Sequence, residues 1–124
     1  MSPDQVPLAF FKALQSHDYP KVWTYLTHHS RETIVGLLAK SWKAHSAEEL
    51  TRMFEHGHSV AEIYWQAFTR AMKMKIWLEQ SYQQLGLSGA EVLVKASPSG
   101  VHLMMFQEAG QWKFGYIETF MDFR

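Results

Sequence analysis

The sequence predicts an α+β protein in which N-terminal helices pack on one side of a late, curved antiparallel sheet of about four strands. Apolar residues recur at helical spacing behind cap residues through the first half of the 124-residue chain. Beyond residue 90 they alternate with polar residues at the period of two that strands show. Glycine-containing turns divide this last third into short segments, as in a meander.

The first two predicted helices follow each other closely. Pro7 suits a first helical turn, and behind it an apolar cluster recurs at helical spacing: Phe10, Phe11 and Leu14. Asp18 ends that pattern and is placed to cap a short second helix with Pro20 in its first turn. Two closely spaced short helices are therefore expected before residue 28.

Three further helices are predicted from cap residues that precede apolar stripes. Ser30 is the predicted cap of the third helix. Ser46 with Glu49 forms a capping box for the fourth, in which each side chain bonds the backbone N–H of the other residue. Ser59 with Glu62 repeats this pattern for the fifth. Five helices are thus expected by residue 72.

Residues 60–85 contain neither proline nor glycine, so the end of the fifth helix has two interpretations. An unbroken helix would be roughly 39 Å long, which exceeds the width of a compact domain of this size. From Met72 onward apolar and polar residues also alternate. The sequence favours a helix to about residue 72, a strand after it, and a hairpin connection at 85–89, while a helix over 73–85 stays open.

The C-terminal third is predicted to contain three more strands. A strand begins at Ala90, a turn lies at 98–100, and a second run extends over 101–108. Ala109-Gly110 forms the next turn. The last strand runs from Gln111 to about Met121 and carries five large or charged side chains on one face, namely Trp112, Phe114, Tyr116, Glu118 and Phe120.

Composition excludes several function classes. Twelve basic and twelve acidic side chains leave no formal net charge, so neither nucleic acid nor an anionic membrane is an expected partner. The absence of cysteine excludes disulfides, thiolate nucleophiles and cysteine-bound metals. Residues 1–20 lack the basic and apolar segments of a secretion signal, and no run approaches a membrane span. We therefore expect a single cytoplasmic domain over residues 1–124.

Motifs for metal and cofactor chemistry are absent from the sequence. No GxSxG, P-loop or GxGxxG pattern occurs. The seven histidines include the clusters at 28–29 and 56–58, but neither matches the HExxH spacing of a zinc helix. We expect no metal site and no cofactor.

Several stretches of the chain resemble the nuclear transport factor 2-like superfamily. They are AFFKAL at 9–14, VW at 22–23, YWQAF at 64–68 and the closing GQWKFGYIETF at 110–120. This resemblance implies a cone-shaped α+β fold whose open sheet face forms a homodimer, with the alternating Ile117, Thr119 and Met121 on that face. The superfamily includes ketosteroid isomerase-like and polyketide cyclase-like enzymes, small-ligand binders and dimerisation modules, and a shared fold does not choose among them.

Glu118 is the candidate catalytic carboxylate. Strand alternation would surround it with aromatic side chains, and an apolar setting favours the protonated form that suits a general acid or base. Tyr25 or Tyr64 could then donate a hydrogen bond to a developing enolate, with His102 assisting. The structural alternatives are a solvated or salt-bridged Glu118 and a structural His102.

Two hypotheses for function follow. The preferred one is a non-catalytic module that holds a small apolar ligand or forms a homodimer, with Trp65, Phe68, Phe106 and Tyr116 as candidate ligand contacts. Core packing is the structural alternative for the aromatic residues of the fifth helix. The second hypothesis is a cofactor-free isomerase, dehydratase or cyclase that uses Glu118 as its base.

Overall fold

A computed structural model describes residues 1–121, apart from the side chains of residues 87 and 88. After a 3-10 turn at Pro3–Gln5, the helices are α1 Val6–Gln15, α2 Tyr19–Thr24, α3 His28–Ser41, α4 Ala47–Glu55, α5 Ser59–Ala71, α6 Met74–Glu79 and α7 Tyr116–Phe120. The strands are β1 Ser81–Ser88, β2 Glu91–Ser97, β3 His102–Glu108 and β4 Gln111–Phe114. The predicted α+β class is confirmed. A bilayer span needs about 20 apolar residues, and among the described residues no helix meets this requirement.

The four strands form one antiparallel sheet in the order β1-β2-β3-β4, so the predicted four-stranded meander is confirmed. Val92 lies opposite Met105, and Met105 lies opposite Phe114. Ala109 and Gly110 connect β3 to β4 with φ angles of 51° and 77°. Both predicted turns, at 98–100 and at 109–110, connect neighbouring strands.

One face of the sheet packs against the helices and lines the hydrophobic core. Its fully buried side chains come from the three later strands: Val92, Val94, Leu103, Met105 and Phe114. Phe10 of α1 lies above them, and its ring contacts those of Phe114 at 4.9 Å, Phe11 at 5.3 Å and Trp65 at 6.1 Å between centroids. Edge-to-face pairs of this kind add about 0.5–1.5 kcal/mol each beyond burial. Aromatic packing therefore dominates the region between helices and sheet.

The predicted helix caps are partly confirmed. Asp18 accepts a hydrogen bond from Lys21 N at 3.4 Å, and Ser46 with Glu49 forms the capping box of α4. The third helix is capped by Thr27 instead of Ser30, because Thr27 Oγ1 accepts the Ser30 N–H at 3.1 Å.

The fifth helix begins where the sequence predicts, but with a different cap. His58 Nδ1 accepts the Val60 N–H at 3.2 Å, so the predicted Ser59–Glu62 capping box is wrong. An imidazole nitrogen satisfies the same orphan N–H that a serine hydroxyl would satisfy. The helix itself, Ser59–Ala71, is confirmed.

The predicted strand after residue 72 is wrong at its start. Residues 74–79 form α6, and β1 begins only at Ser81. Met74, Trp77 and Leu78 also recur at helical spacing, and Trp77 packs on Phe11 with ring centroids 5.2 Å apart. A hairpin joins β1 to β2 as predicted, but its connection is shorter than residues 85–89, because β1 continues to Ser88 and β2 begins at Glu91.

The predicted last strand is correct only to Phe114. At that point the Phe114 N–H donates to Tyr25 O, and Phe114 O accepts from Thr27 N, so both backbone groups bond the segment after α2. Gly115 N then donates to Met104 O, and the chain turns into α7. Tyr116, Glu118 and Phe120 therefore lie on a helix, and Ile117 is buried instead of lying on an open sheet face.

Candidate functional site

Glu118 lies in a buried cluster of hydroxyl groups. Thr27 Oγ1 lies 2.8 Å from Glu118 Oε2 and 3.1 Å from Oε1, and Ser30 Oγ donates to Oε1 at 2.8 Å. Ser30 Oγ also accepts the Ile117 N–H at 3.0 Å. Glu118 is 7% exposed, and Thr27 and Ser30 are fully buried. The three side chains, here called the Glu118 cluster, join α7 to the start of α3.

The cluster lies at the N-terminus of α3, because Thr27 is the N-cap of that helix and its Oγ1 accepts the Ser30 N–H. A second carboxylate lies at the same end, because Glu108 Oε1 accepts the His28 N–H at 3.0 Å. Both carboxylates thus contribute to the connection between α3 and the C-terminal half of the chain.

The candidate tyrosines do not meet Glu118. Tyr64 shares a hydrogen bond with Tyr116, whose hydroxyl oxygen lies 3.0 Å away. Burial raises the pKa of both phenols above their usual value of 10.0. Tyr25 lies elsewhere, in a cleft beside β4.

The candidate ligand contacts divide between two sides of the sheet. Trp65, Phe68 and Tyr116 contact one another in the core, with ring centroids 5.1–6.1 Å apart. Phe106 lies on the other side of β3, where it packs against Gly115. Three of the four predicted aromatic residues are therefore brought together, by core packing.

The face of the sheet that points away from the core is here called the open face. It carries Glu91, Leu93 and Lys95 of β2 and His102, Met104 and Phe106 of β3. Leu93 is 36% exposed, and Lys95 and His102 are exposed. Its centre is apolar, since Leu93 lies beside Met104. Charged groups lie at the two ends of β2 and at Lys113 of β4, which is opposite Phe106.

Gly115 explains how Phe106 is held on the open face. A Cβ atom at position 115 would lie 2.7 Å from Phe106 Cε2 and 2.9 Å from Met104 O. Only glycine permits this approach of ring and backbone. The aromatic ring is thereby fixed beside Met104 without a covering side chain from residue 115.

A cleft of about 380 Å³ lies between the end of α2 and β4. Tyr25, Trp112 and Lys113 line it, together with Thr24 and Gln111. Lys113 Nζ donates to Thr24 O at 2.5 Å. Burial and the neighbouring Arg31 lower the pKa of Lys113, and the Glu108 carboxylate partly opposes this shift. Of these lining residues, only Tyr25 is a candidate site residue from the sequence.

The histidine clusters have structural contacts. His28 Nε2 lies 2.8 Å from Glu32 Oε1, and His58 caps α5. Within residues 1–121, no three histidine or carboxylate side chains are placed to hold a metal ion. The described part of the chain therefore contains no metal centre of that kind.

Sequence reasoning missed the partners of Glu118. The spacing of Thr27 and Ser30 is that of an N-cap and the third residue of its helix, a pattern visible in the sequence. Their contact with Glu118, however, joins positions 88 and 91 residues apart. Local sequence patterns carry no information on such a pairing.

Comparison of the chain with models of protein families, with curated proteins and with solved structures finds no match. Function is therefore inferred from the contacts, burial and charges of the described residues.

Proposed function

We propose that this protein is a non-catalytic interaction module that forms a homodimer through the open face of its sheet. The observation that carries the proposal is the apolar centre of that face, formed by Leu93, Met104 and Phe106 and flanked by charged side chains. An apolar centre with a polar rim is the usual composition of a protein interface. The resemblance to nuclear transport factor 2-like proteins, which stays a prediction, also implies a homodimer through the open sheet face, but the residues expected there, Ile117, Thr119 and Met121, lie beyond the end of β4.

The charge pattern of the open face supports a second copy as the partner. Glu91 and Lys95 lie on either side of Leu93 along β2. A two-fold axis that runs parallel to the sheets and perpendicular to the strands reverses the strand direction of the second copy. Leu93 then lies against Leu93, and Glu91 of each copy lies against Lys95 of the other. Symmetric dimers require this kind of self-complementary surface.

The apolar contact is tested by sedimentation equilibrium at micromolar concentration. The wild type is expected to be a dimer and Leu93→Asp a monomer, because the substitution buries a charge without a partner in the contact. Leu37→Asp is the matched control, since Leu37 is 49% exposed on α3 and outside the open face. A monomeric wild type, or equal effects of the two variants, would contradict the proposal.

A charge exchange tests the orientation of the two copies. Lys95→Glu and Glu91→Lys are each expected to weaken the dimer by at least about tenfold, because like charges then face each other. The double variant restores opposite charges at both contacts and is expected to recover dimerisation. If the double variant is weaker than either single variant, the two-fold arrangement is wrong.

A further inference from the structure

We propose that the cleft between α2 and β4 binds a small aromatic carboxylate. Lys113 of this site lies opposite Phe106, so the cleft borders the open face, but the proposal is argued from the residues of the cleft and not from dimerisation. Its volume of about 380 Å³ lies within the range of small-molecule sites in proteins, which begins at about 300 Å³. A ligand with one or two rings fits this space.

Three donors at the cleft favour an anion. The Lys113 ammonium carries three N–H groups, of which one bonds Thr24 O. The Tyr25 hydroxyl and the Trp112 indole N–H have no hydrogen bond to the described residues, and both side chains are partly accessible. No carboxylate side chain of the described residues is among the residues that line the cleft. The Glu108 carboxylate acts on Lys113 from outside this lining, and the Lys113 N–H groups that do not bond Thr24 O can donate to a ligand carboxylate.

The aromatic walls favour a flat ligand. Tyr25 and Trp112 both pack partly against the core and expose the remainder of their rings. Their backbones are held by the sheet, because Phe114 N donates to Tyr25 O at 2.6 Å and Trp112 lies within β4. Because these two side chains are already held in place, little conformational entropy is lost when a ligand binds. Stacking on two aromatic rings favours a planar ligand.

The proposal is tested by calorimetric titration of the full chain with 2-naphthoate, 2-naphthamide and cyclohexanecarboxylate. Saturable binding is expected for naphthoate at millimolar concentration or below. The amide and the non-aromatic acid are each expected to bind about tenfold more weakly, because one lacks the charge and the other lacks the ring. The indole N–H resonance of Trp112 is expected to shift during the naphthoate titration.

Variants of the cleft residues test which side chains bind the ligand. Lys113→Gln is expected to weaken naphthoate binding about tenfold, while Lys113→Arg retains the charge and most of the affinity. Lys43→Gln, a substitution of an exposed lysine outside the cleft, is the matched control. If Lys113→Gln fails to fold, Trp112→Leu and the amide comparison test the same site.

Two results would overturn the proposal. One is the absence of saturable naphthoate binding to the folded wild type. The other is equal binding of naphthoate and naphthamide with an unchanged Trp112 resonance, which would indicate nonspecific apolar adsorption. Neither result bears on dimerisation, which is measured by sedimentation without ligand.

Discussion

Replacing Ser30 by alanine removes the hydroxyl that bonds two groups of α7 at once. Ser30 Oγ donates to Glu118 Oε1 and accepts the Ile117 N–H. In Ser30→Ala the carboxylate loses one of its donors, and the Ile117 N–H loses its partner in a buried environment. Alanine is also smaller than serine, and the vacated space lies beside Thr27.

The expected loss of stability follows from the two hydrogen bonds that the substitution removes. A hydrogen bond to a charged group contributes about 1.5–3 kcal/mol, and an unsatisfied buried N–H costs about 1–3 kcal/mol. The two terms overlap because small movements of α7 relieve both. We therefore expect Ser30→Ala to lower the free energy of unfolding by about 3 kcal/mol, a large fraction of the stability of a domain of this size.

Urea denaturation followed by circular dichroism measures this change by linear extrapolation. Ser41→Ala is the matched control, because Ser41 is exposed at the end of the same helix. Its expected effect is within about 0.5 kcal/mol. A Ser30→Ala effect no larger than that of Ser41→Ala would refute the role assigned to the Glu118 cluster.

Four other predictions concern stability. Gly115→Ala is expected to lower the free energy of unfolding by about 1–3 kcal/mol, because Met104 O cannot move away from a Cβ at 2.9 Å. Gly36→Ala, in the open interior of α3, is expected to raise it by about 0.5–1 kcal/mol in the same urea titration. Ser46→Ala is expected to cost about 1 kcal/mol and Ser59→Ala less than half of that, since only Ser46 caps a helix. Equal losses would show that the assigned caps are wrong. Because the pKa of Tyr116 is raised above 10.0, its contribution to stability is complete below about pH 10 and is lost as the pH rises further. Thermal unfolding of Tyr116→Phe is therefore expected to show a shallower alkaline decline than the wild type, and an identical decline would contradict this assignment.

Local sequence patterns were sufficient to predict those parts of the fold that depend on contacts between neighbouring residues. The Ser46–Glu49 capping box joins residues three apart, and the turn at Ala109-Gly110 needs only its own backbone conformation. In β2 and β3, buried side chains alternate with more exposed ones, because only one face of the sheet packs against the core. These features are confirmed, and together they predict the α+β class and the four-stranded meander.

Other parts of the fold depended on contacts between residues that are far apart in the sequence. At 72–80 the same apolar residues fit both a strand and a helix, and Trp77 selects the helix by packing on Phe11. At Phe114 the hydrogen bonds to Tyr25 and Thr27 occupy the outer edge of β4. The strand pattern of the sequence continues beyond this point, whereas the chain turns into α7.

The sequence by itself determined the class of fold, the early helices, the order of the strands and the absence of cysteine chemistry. Only the tertiary structure decided that Glu118 lies among hydroxyl groups at the start of α3, and that Leu93, Met104 and Phe106 form the centre of the open face. The physical reason is that periodicity and caps act over a few residues. The partner of a buried carboxylate and the composition of a sheet face depend on how segments far apart in the chain are brought together.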